Sequence, residues 1–245
     1  MRHAILADIH SNLEAFKAVL VDAEIRGGFD QIWCLGDIVG YGPDPCECIE
    51  LLRQHDHVCV AGNNDWASIG KVDTYDFNPE AAIACRSTFG RLGSDEIDYL
   101  SNLPKVLTQN DFTLVHGSPR DPLWEYVMST TMVRLNLNHF DTMYCLIGHS
   151  HVPQVYAYDK NADECRSHAL SDGGTFNLIK QRFMINPGSV GQPRDGNPKA
   201  SYMIYDSDEH TITHFRVTYD YTKTQVKMTR HNLPDMLIER LAHGY

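Results

Sequence analysis

Met143-Tyr144-Cys145-Leu146-Ile147-Gly148-His149-Ser150-His151 is the stretch that decides how the chain folds. Its apolar half, Met143 to Ile147, reads as a buried strand, and the remainder as the loop at that strand's carboxyl end. A strand points alternate side chains the same way, so two imidazoles two residues apart at its end are placed to share a metal cluster. One Gly-His-x-His is a weak signal. It becomes strong because the chain supplies, upstream and in order, Asp8-Ile9-His10, Gly36-Asp37, Gly62-Asn63-Asn64-Asp65 and His116-Gly117, each directly after an apolar run. These oxygen and imidazole donors suffice for two hard-to-borderline divalent ions.

The flanking patterns extend this reading. His3 to Ala7 reads as a strand, followed by Leu13, Phe16, Val19, Leu20 and Ala23 at helical spacing and a Gly27-Gly28 stop. Ile32 to Leu35 is a second strand, running through Gly36-Asp37 into the irregular Gly40-Tyr41-Gly42-Pro43. Asp44 and Pro45 suit the N-cap and first position of a helix towards Gln54, and His57 to Ala61 is a third strand. Three strand–loop–helix units predict a mostly parallel or mixed sheet with the ligand loops at its carboxyl edge. The stretch from Trp66 to Pro104 is expected to be helical, with starts at Asn78-Pro79 and Ser94-Asp95-Glu96, and to lie partly over the site. Lys105 to Leu107 and Phe112 to Val115 read as a strand pair. Beyond His151, short runs at 154–158, 165–170, 182–185, 202–205 and 211–217 predict a second, more antiparallel sheet packed on the first, before a closing helix from Leu233 to Leu241. No repeat or linker interrupts the pattern, so one domain over 1–245 is expected.

Composition bounds the function. With 42% hydrophobic and 22% charged residues the chain is ordinary for a soluble globular protein. A net charge of −11 argues against stable nucleic-acid binding or adhesion to anionic lipid, which need clustered Lys and Arg. An anionic substrate must then be attracted locally, and bound cations supply that attraction. No apolar run approaches the ~20 residues of a membrane span. Asp8 also arrives too soon for a signal-peptide apolar region. Seven cysteines, an odd number, with Cys34, Cys59 and Cys145 inside apolar runs, read as free thiols of a reducing, cytoplasmic setting. Cys46-Glu47-Cys48 has no matching second pair and falls in an expected helix.

The five blocks together resemble the calcineurin-like metallophosphoesterase superfamily, in particular its small bacterial and archaeal phosphodiesterase-type members. The superfamily pattern is Asp-x-His, Gly-Asp, Gly-Asn-His-(Asp/Glu), His and Gly-His-x-His, and the motifs cover residues 8 to 151. The resemblance implies a four-layer α/β/β/α sandwich of two mixed sheets and a two-metal phosphoesterase acting on a small phosphoester. It implies that Asp8, His10, Asp37 and His151 bind one metal and that Asp37, Asn63, His116 and His149 bind the other, with Asp37 as the bridge. Two metals roughly 3.5–4 Å apart hold phosphoryl oxygens and lower the pKa of a bridging water, whose hydroxide attacks phosphorus in line. The mixed oxygen and nitrogen ligands favour Mn²⁺, with Fe, Zn²⁺, Ni²⁺ or Co²⁺ as alternatives, over Ca²⁺ or Mg²⁺.

The departure is Asn64, which stands where the pattern has a histidine acting as general acid. A carboxamide donates a hydrogen bond to substrate but no proton at neutral pH, and the loss of an acid costs about 10²–10⁴-fold. Substrates with good leaving groups suffer least. The rival expectation is a metal-holding interaction scaffold that has lost its acid. Asp65 is grouped with Asp37 and Asn64 as catalytic, and is otherwise expected to fix the Asn63–Asn64 loop or to cap the next helix. Arg194 is the better of two candidates, with Arg120, for binding phosphate through its planar guanidinium. Asn12 suits a helix cap, and Asn186-Pro187-Gly188-Ser189 resembles a family loop near the metals as well as an ordinary turn. The nine remaining histidines fit no ligand block, and nothing in the pattern reads out an oligomeric state.

Overall fold

The computed structural model describes all residues except 76 and 180. The first part alternates strand and helix: β1 (Arg2–Leu6), α1 (Leu13–Ile25), β2 (Gln31–Cys34), α2 (Pro45–Arg53), β3 (His57–Cys59) and α3 (Asn63–Ser68). Helices α4 (Pro79–Phe89) and α5 (Ser94–Asn102) precede β4 (Val106–Gln109) and β5 (Phe112–Val115), and α6 (Thr130–Asn136) leads to β6 (Tyr144–Leu146). Then follow β7 (Gln154–Asp159), β8 (Glu164–His168), β9 (Thr175–Asn177), β10 (Arg182–Asn186), β11 (Ala200–Asp206) and β12 (Thr211–Val217). The chain closes with α7 (Tyr221–Arg230), α8 (Asp235–Glu239) and a 3-10 turn over Arg240–Ala242.

Period-two alternation sorts the strand residues into layers. Ala4 and Leu6 of β1, Ile32 of β2 and Tyr202 and Ile204 of β11 pack on Phe16 and Val19 of α1 and Ile49 and Leu52 of α2. Their neighbours Ile5, Trp33, Met203 and Tyr205 turn the other way and meet Phe112, Leu114, Leu146, Phe183 and Ile185 of the opposing sheet. That sheet's alternate residues, Val115, Cys145 and Met184, pack on Val133 of α6 and on Phe140. The product is the expected four-layer α/β/β/α sandwich, with sheet orders β3-β2-β1-β11-β12-β9 and β4-β5-β6-β10-β7-β8.

The late strands depart from expectation: they do not form a sheet of their own. β11 pairs antiparallel with β1, opposite its parallel neighbour β2, and β10 pairs parallel with β6. The reason is burial. Every residue of β11 except the last is buried, and a strand covered on both faces belongs in the middle of a sheet. Helix α7 went unread because its only buried residues are Thr224 and Met228, which leaves almost no apolar stripe. Among the described residues no helix is long and apolar enough to cross a membrane.

Candidate metal centre

The carboxyl ends of five strands converge on one edge of the sandwich: β1 delivers Asp8 and His10, β2 Asp37, β3 Asn63, β5 His116, and β6 His149 and His151. Five of these seven have left-handed backbones, with φ of 55° at Asp8, 49° at His10, 52° at Asp37, 65° at His149 and 58° at His151. Residues with a Cβ seldom adopt this conformation, at a cost of about 1–3 kcal/mol each, unless their surroundings impose it. Here the loops impose it on one another. Asp8 N–H donates to Gly36 O at 3.1 Å, His10 N–H to Asp37 O at 2.9 Å, and Gly148 N–H to His116 O at 2.7 Å. Gly62 is required where the third loop closes on the second, because a Cβ there would lie 2.0 Å from Asp37 Oδ1.

Two sets of donors result, Asp8–His10–His151 and Asp37–His116–His149, each buried and each with ligand atoms within 4.8 Å of one another. In the first, His10 Nε2 lies 3.1 Å from His151 Nε2, and Asp8 Oδ1 lies 3.3 Å from His151 Nε2. In the second, His116 Nε2 lies 3.1 Å from His149 Nδ1, 3.0 Å from Asn63 Oδ1 and 3.4 Å from Asp37 Oδ2. Asp37 Oδ2 is also 3.6 Å from His10 Nε2, so this one oxygen faces both sets. Asp8 Oδ1 is fully buried and has no hydrogen-bond partner, an expensive arrangement for a carboxylate unless a cation completes it.

Each imidazole is steered by its other nitrogen. His10 Nδ1 pairs with Val39 O at 3.2 Å, His116 Nδ1 with Leu35 O at 2.8 Å, His149 Nε2 with Trp124 O at 3.2 Å, and His151 Nδ1 with Gln192 O at 2.6 Å. A carbonyl only accepts, so in each neutral ring the proton sits on that side and the opposite lone pair points into the cluster. Burial reinforces this by lowering the pKa of His10 and His149 to about 3 and that of His151 well below its ordinary value. His116 differs. Burial again works against its charge, but Asp37 beside it outweighs this and raises it to about 10, while Asp37, despite its own burial, is held below the usual carboxylate range by His116.

The remaining candidates fall around this cluster. Asp65 is fully buried and its oxygens accept from Asp37 N–H (2.9 Å), Gly62 N–H (2.9 Å) and Val39 N–H (3.1 Å). These three amides make Asp65 a clasp between the second and third loops and, through Gly62 N–H, a cap on α3, the two structural parts expected of it. Asn64 likewise faces Asp37. Its Nδ2 donates to Asp37 Oδ2 at 2.7 Å and its backbone N–H to Asp37 Oδ1 at 2.8 Å, while Cys85 Sγ lies 3.5 Å from its Oδ1. Arg194 is half-buried, its guanidinium 5.6 Å from the Tyr41 ring centre, and its charge acts on Asp8, His10, His149 and His151. Arg120 is instead ion-paired with Glu125.

Asn12 does cap α1 through Ala15 N–H, and it also donates to Gly191 O at 2.8 Å, tying the late turn to the first loop. That turn proves to be a brace: Asn186 Nδ2 donates to Gly148 O at 2.7 Å and Ser189 Oγ to Asp8 O at 2.8 Å. Sequence reasoning missed Tyr41, Phe77, Trp124 and Tyr126, which line a pocket of about 170 Å³ together with Asn63 and His149. The signal was available in Trp124-Glu125-Tyr126, two large aromatics in a loop with no strand or helix pattern to bury them. Of the helical stretch expected to lie over the site, the part from Phe77 to Ala81 reaches it, while Trp66 packs in the core.

A family model described as a calcineurin-like phosphoesterase superfamily domain matches residues 1–210. An uncharacterized protein of Methanocaldococcus jannaschii is 39% identical over 246 residues, which span 98% of this chain and 97% of that protein. The crystal structure of a metallophosphoesterase from Sphaerobacter thermophilus is similar at a TM-score of 0.91 and 44% identity, covering 100% of this chain and 99% of that one. A hypothetical protein from Pyrococcus horikoshii OT3 shares the fold at a TM-score of 0.82 and 21% identity, over 100% of this chain and 98% of its own.

Proposed function

The chain belongs to the calcineurin-like phosphoesterase superfamily, and from that membership we propose that it hydrolyses a small phosphoester at a centre of two divalent cations. Asp8, His10, Asp37 and His151 would hold one cation and Asp37, Asn63, His116 and His149 the other, with Asp37 shared. The observation that carries this reading is the convergence of unprotonated imidazole nitrogens on a buried carboxylate oxygen that has no other partner. Two cations so held would supply charge for the phosphoryl oxygens and lower the pKa of a bound water. The mixed donor set suits transition metals, and Mn²⁺ is the cation we favour.

The chain's own residues do the rest. The carbonyl tethers of His10, His149 and His151 keep their lone pairs aimed into the centre, and His116, tethered in the same way, would join them on giving its proton up to a cation. Asn64 and Asp65 hold Asp37 and its loop in place between the two donor sets, where its carboxylate would be shared. Arg194 supplies a guanidinium beside the centre for a non-bridging phosphoryl oxygen. No side chain at position 64 carries a proton for the leaving group, so esters and anhydrides that leave as stabilised anions are the favoured substrates. That same inward-turned Asn64 favours the second reading, a scaffold that holds metal without turning over.

Elemental analysis combined with hydrolysis of bis(p-nitrophenyl) phosphate separates the two. We expect two transition metals per chain and a metal-dependent rate that falls by more than about 100-fold, the upper end for losing a group that only orients a ligand, in Asp37→Asn and His149→Ala. Equal, near-zero rates in wild type and both variants across a broad phosphoester panel would sink the enzyme reading and leave the scaffold.

A further inference from the structure

The aromatic pocket has a fixed relation to the two donor sets. Asn63 and His149, which line it, both belong to the set around His116, so the pocket opens onto that half of the centre. The space beside the other half, around His10, Asn12, Gly191 and Thr224, is about 10 Å³, the limit for a single water. A substrate group larger than water therefore has room on the Asn63–His149 side.

The walls of that room are rings. Tyr126 stacks on His149 at 4.0 Å between centroids and 19° between planes, yet 47% of its surface remains exposed. Phe77 meets Trp124 edge-on, at 5.5 Å and 78°. A pocket of about 170 Å³ is well below the ~300–1,000 Å³ that holds a drug-sized ligand, and so accepts one flat ring system rather than a whole dinucleotide. Arg194 and the cluster stand next to it to hold an anionic group. Half-exposed aromatic faces beside a polar centre retain the stacking capacity that a buried core would have consumed.

We propose that this pocket receives a flat aromatic ring, either a nucleobase or an aryl group, carried on the phosphoester, so that the substrates are ring-bearing rather than alkyl or plain sugar phosphates. The proposal rests on the phosphoesterase reading only for the phosphoryl half of the ligand; the ring half stands on Phe77, Trp124 and Tyr126.

Binding is the readout. Calorimetric titration of the Mn²⁺-loaded protein with phenyl phosphate and ethyl phosphate, and with adenosine monophosphate and ribose 5-phosphate, measures the ring preference in each pair. Phenyl phosphate is expected to bind about tenfold or more tightly than ethyl phosphate, within the range one stacked base contributes. A matching preference in the nucleotide pair assigns a nucleobase, and its absence there an aryl group. Phe77→Leu keeps the apolar volume but removes the ring, and Tyr126→Ala removes an exposed one; each should bring the ratio towards unity. Equal affinities within both pairs for the wild type, or an undiminished ratio in both variants, overturn the proposal. Ring preference without any hydrolysis would keep the pocket and remove the enzyme, whereas hydrolysis with equal affinities would keep the enzyme and remove the pocket.

Discussion

Asn64 shows what a single side chain does when the expected one is missing. Both of its polar ends are occupied, Nδ2 by Asp37 Oδ2 and Oδ1 by Cys85 Sγ, and Gly40, with φ of +89°, leaves it space: a Cβ on Gly40 would come within 2.9 Å of Asn64 Cβ. Asn64→Ala should therefore weaken metal binding or lower kcat by about 10–100-fold, as is usual when an orienting partner of a ligand is lost. Gly40→Ala should act in the same direction by displacing Asn64. Chelator competition reads the affinity, and an unchanged value in Asn64→Ala would show that Asp37 needs no such anchor. The seven residues that the structure gathers at this edge could be named from the sequence because donor chemistry resides in side-chain identity. The carbonyls of Leu35, Val39, Trp124 and Gln192 were not, since every residue carries the same carbonyl and only the fold selects which ones meet an imidazole.

At the scale of elements, alternation carried the reading wherever a strand has two different faces. Trp33 illustrates it: 1% exposed, stacked on His3 at 4.2 Å and edge-on to Phe112 at 5.1 Å, it fills the space between the sheets while Ile32 and Cys34 face the helices. Trp33→Ala should cost about 3–5 kcal/mol in urea unfolding. A loss under ~1 kcal/mol would mean that the inter-sheet layer collapses around the gap. The pattern failed where the faces are alike. β11 is buried on both, which hides its central place, and α7 is polar on nearly all sides, which hides it altogether. Strand partners were equally hidden, because hydrophobic period fixes which face is buried but not which neighbour lies alongside.

The whole molecule should respond to acid through its buried histidines. His3 and His214 lie outside the metal centre, and burial lowers both below the ordinary 6.5. A folded-state pKa below the unfolded one means the native protein binds fewer protons, so the stabilisation is complete above about pH 6.5 and is lost as pH falls towards the folded values. His214 pairs with Ser201 Oγ at 2.8 Å, and His214→Gln removes its titration. Urea midpoints between pH 7.5 and 5 should decline less steeply in the variant than in the wild type. Identical slopes would remove His214 from the account. Metal uptake should depend on pH through His116 instead, since at about 10 it must give up a proton to a metal, while His10 and His149, at about 3, take up none in this range.

β1 has a consequence in time as well as in space. It is made before every other strand described, yet Ala4 lies opposite Ile204, so its second flank stays open until synthesis has passed residue 204. Every donor, from Asp8 to His151, is synthesised before the Ser189 turn that grips the Asp8 loop and before the strand that closes the sheet around it. A cation meeting a partly made chain would find these donors without the turn and the strand that brace them, and their geometry would be complete only once Ser189 and β11 are in place. Any choice among metals would in this sense be a late event of biosynthesis, made after the candidate donors have long been in place.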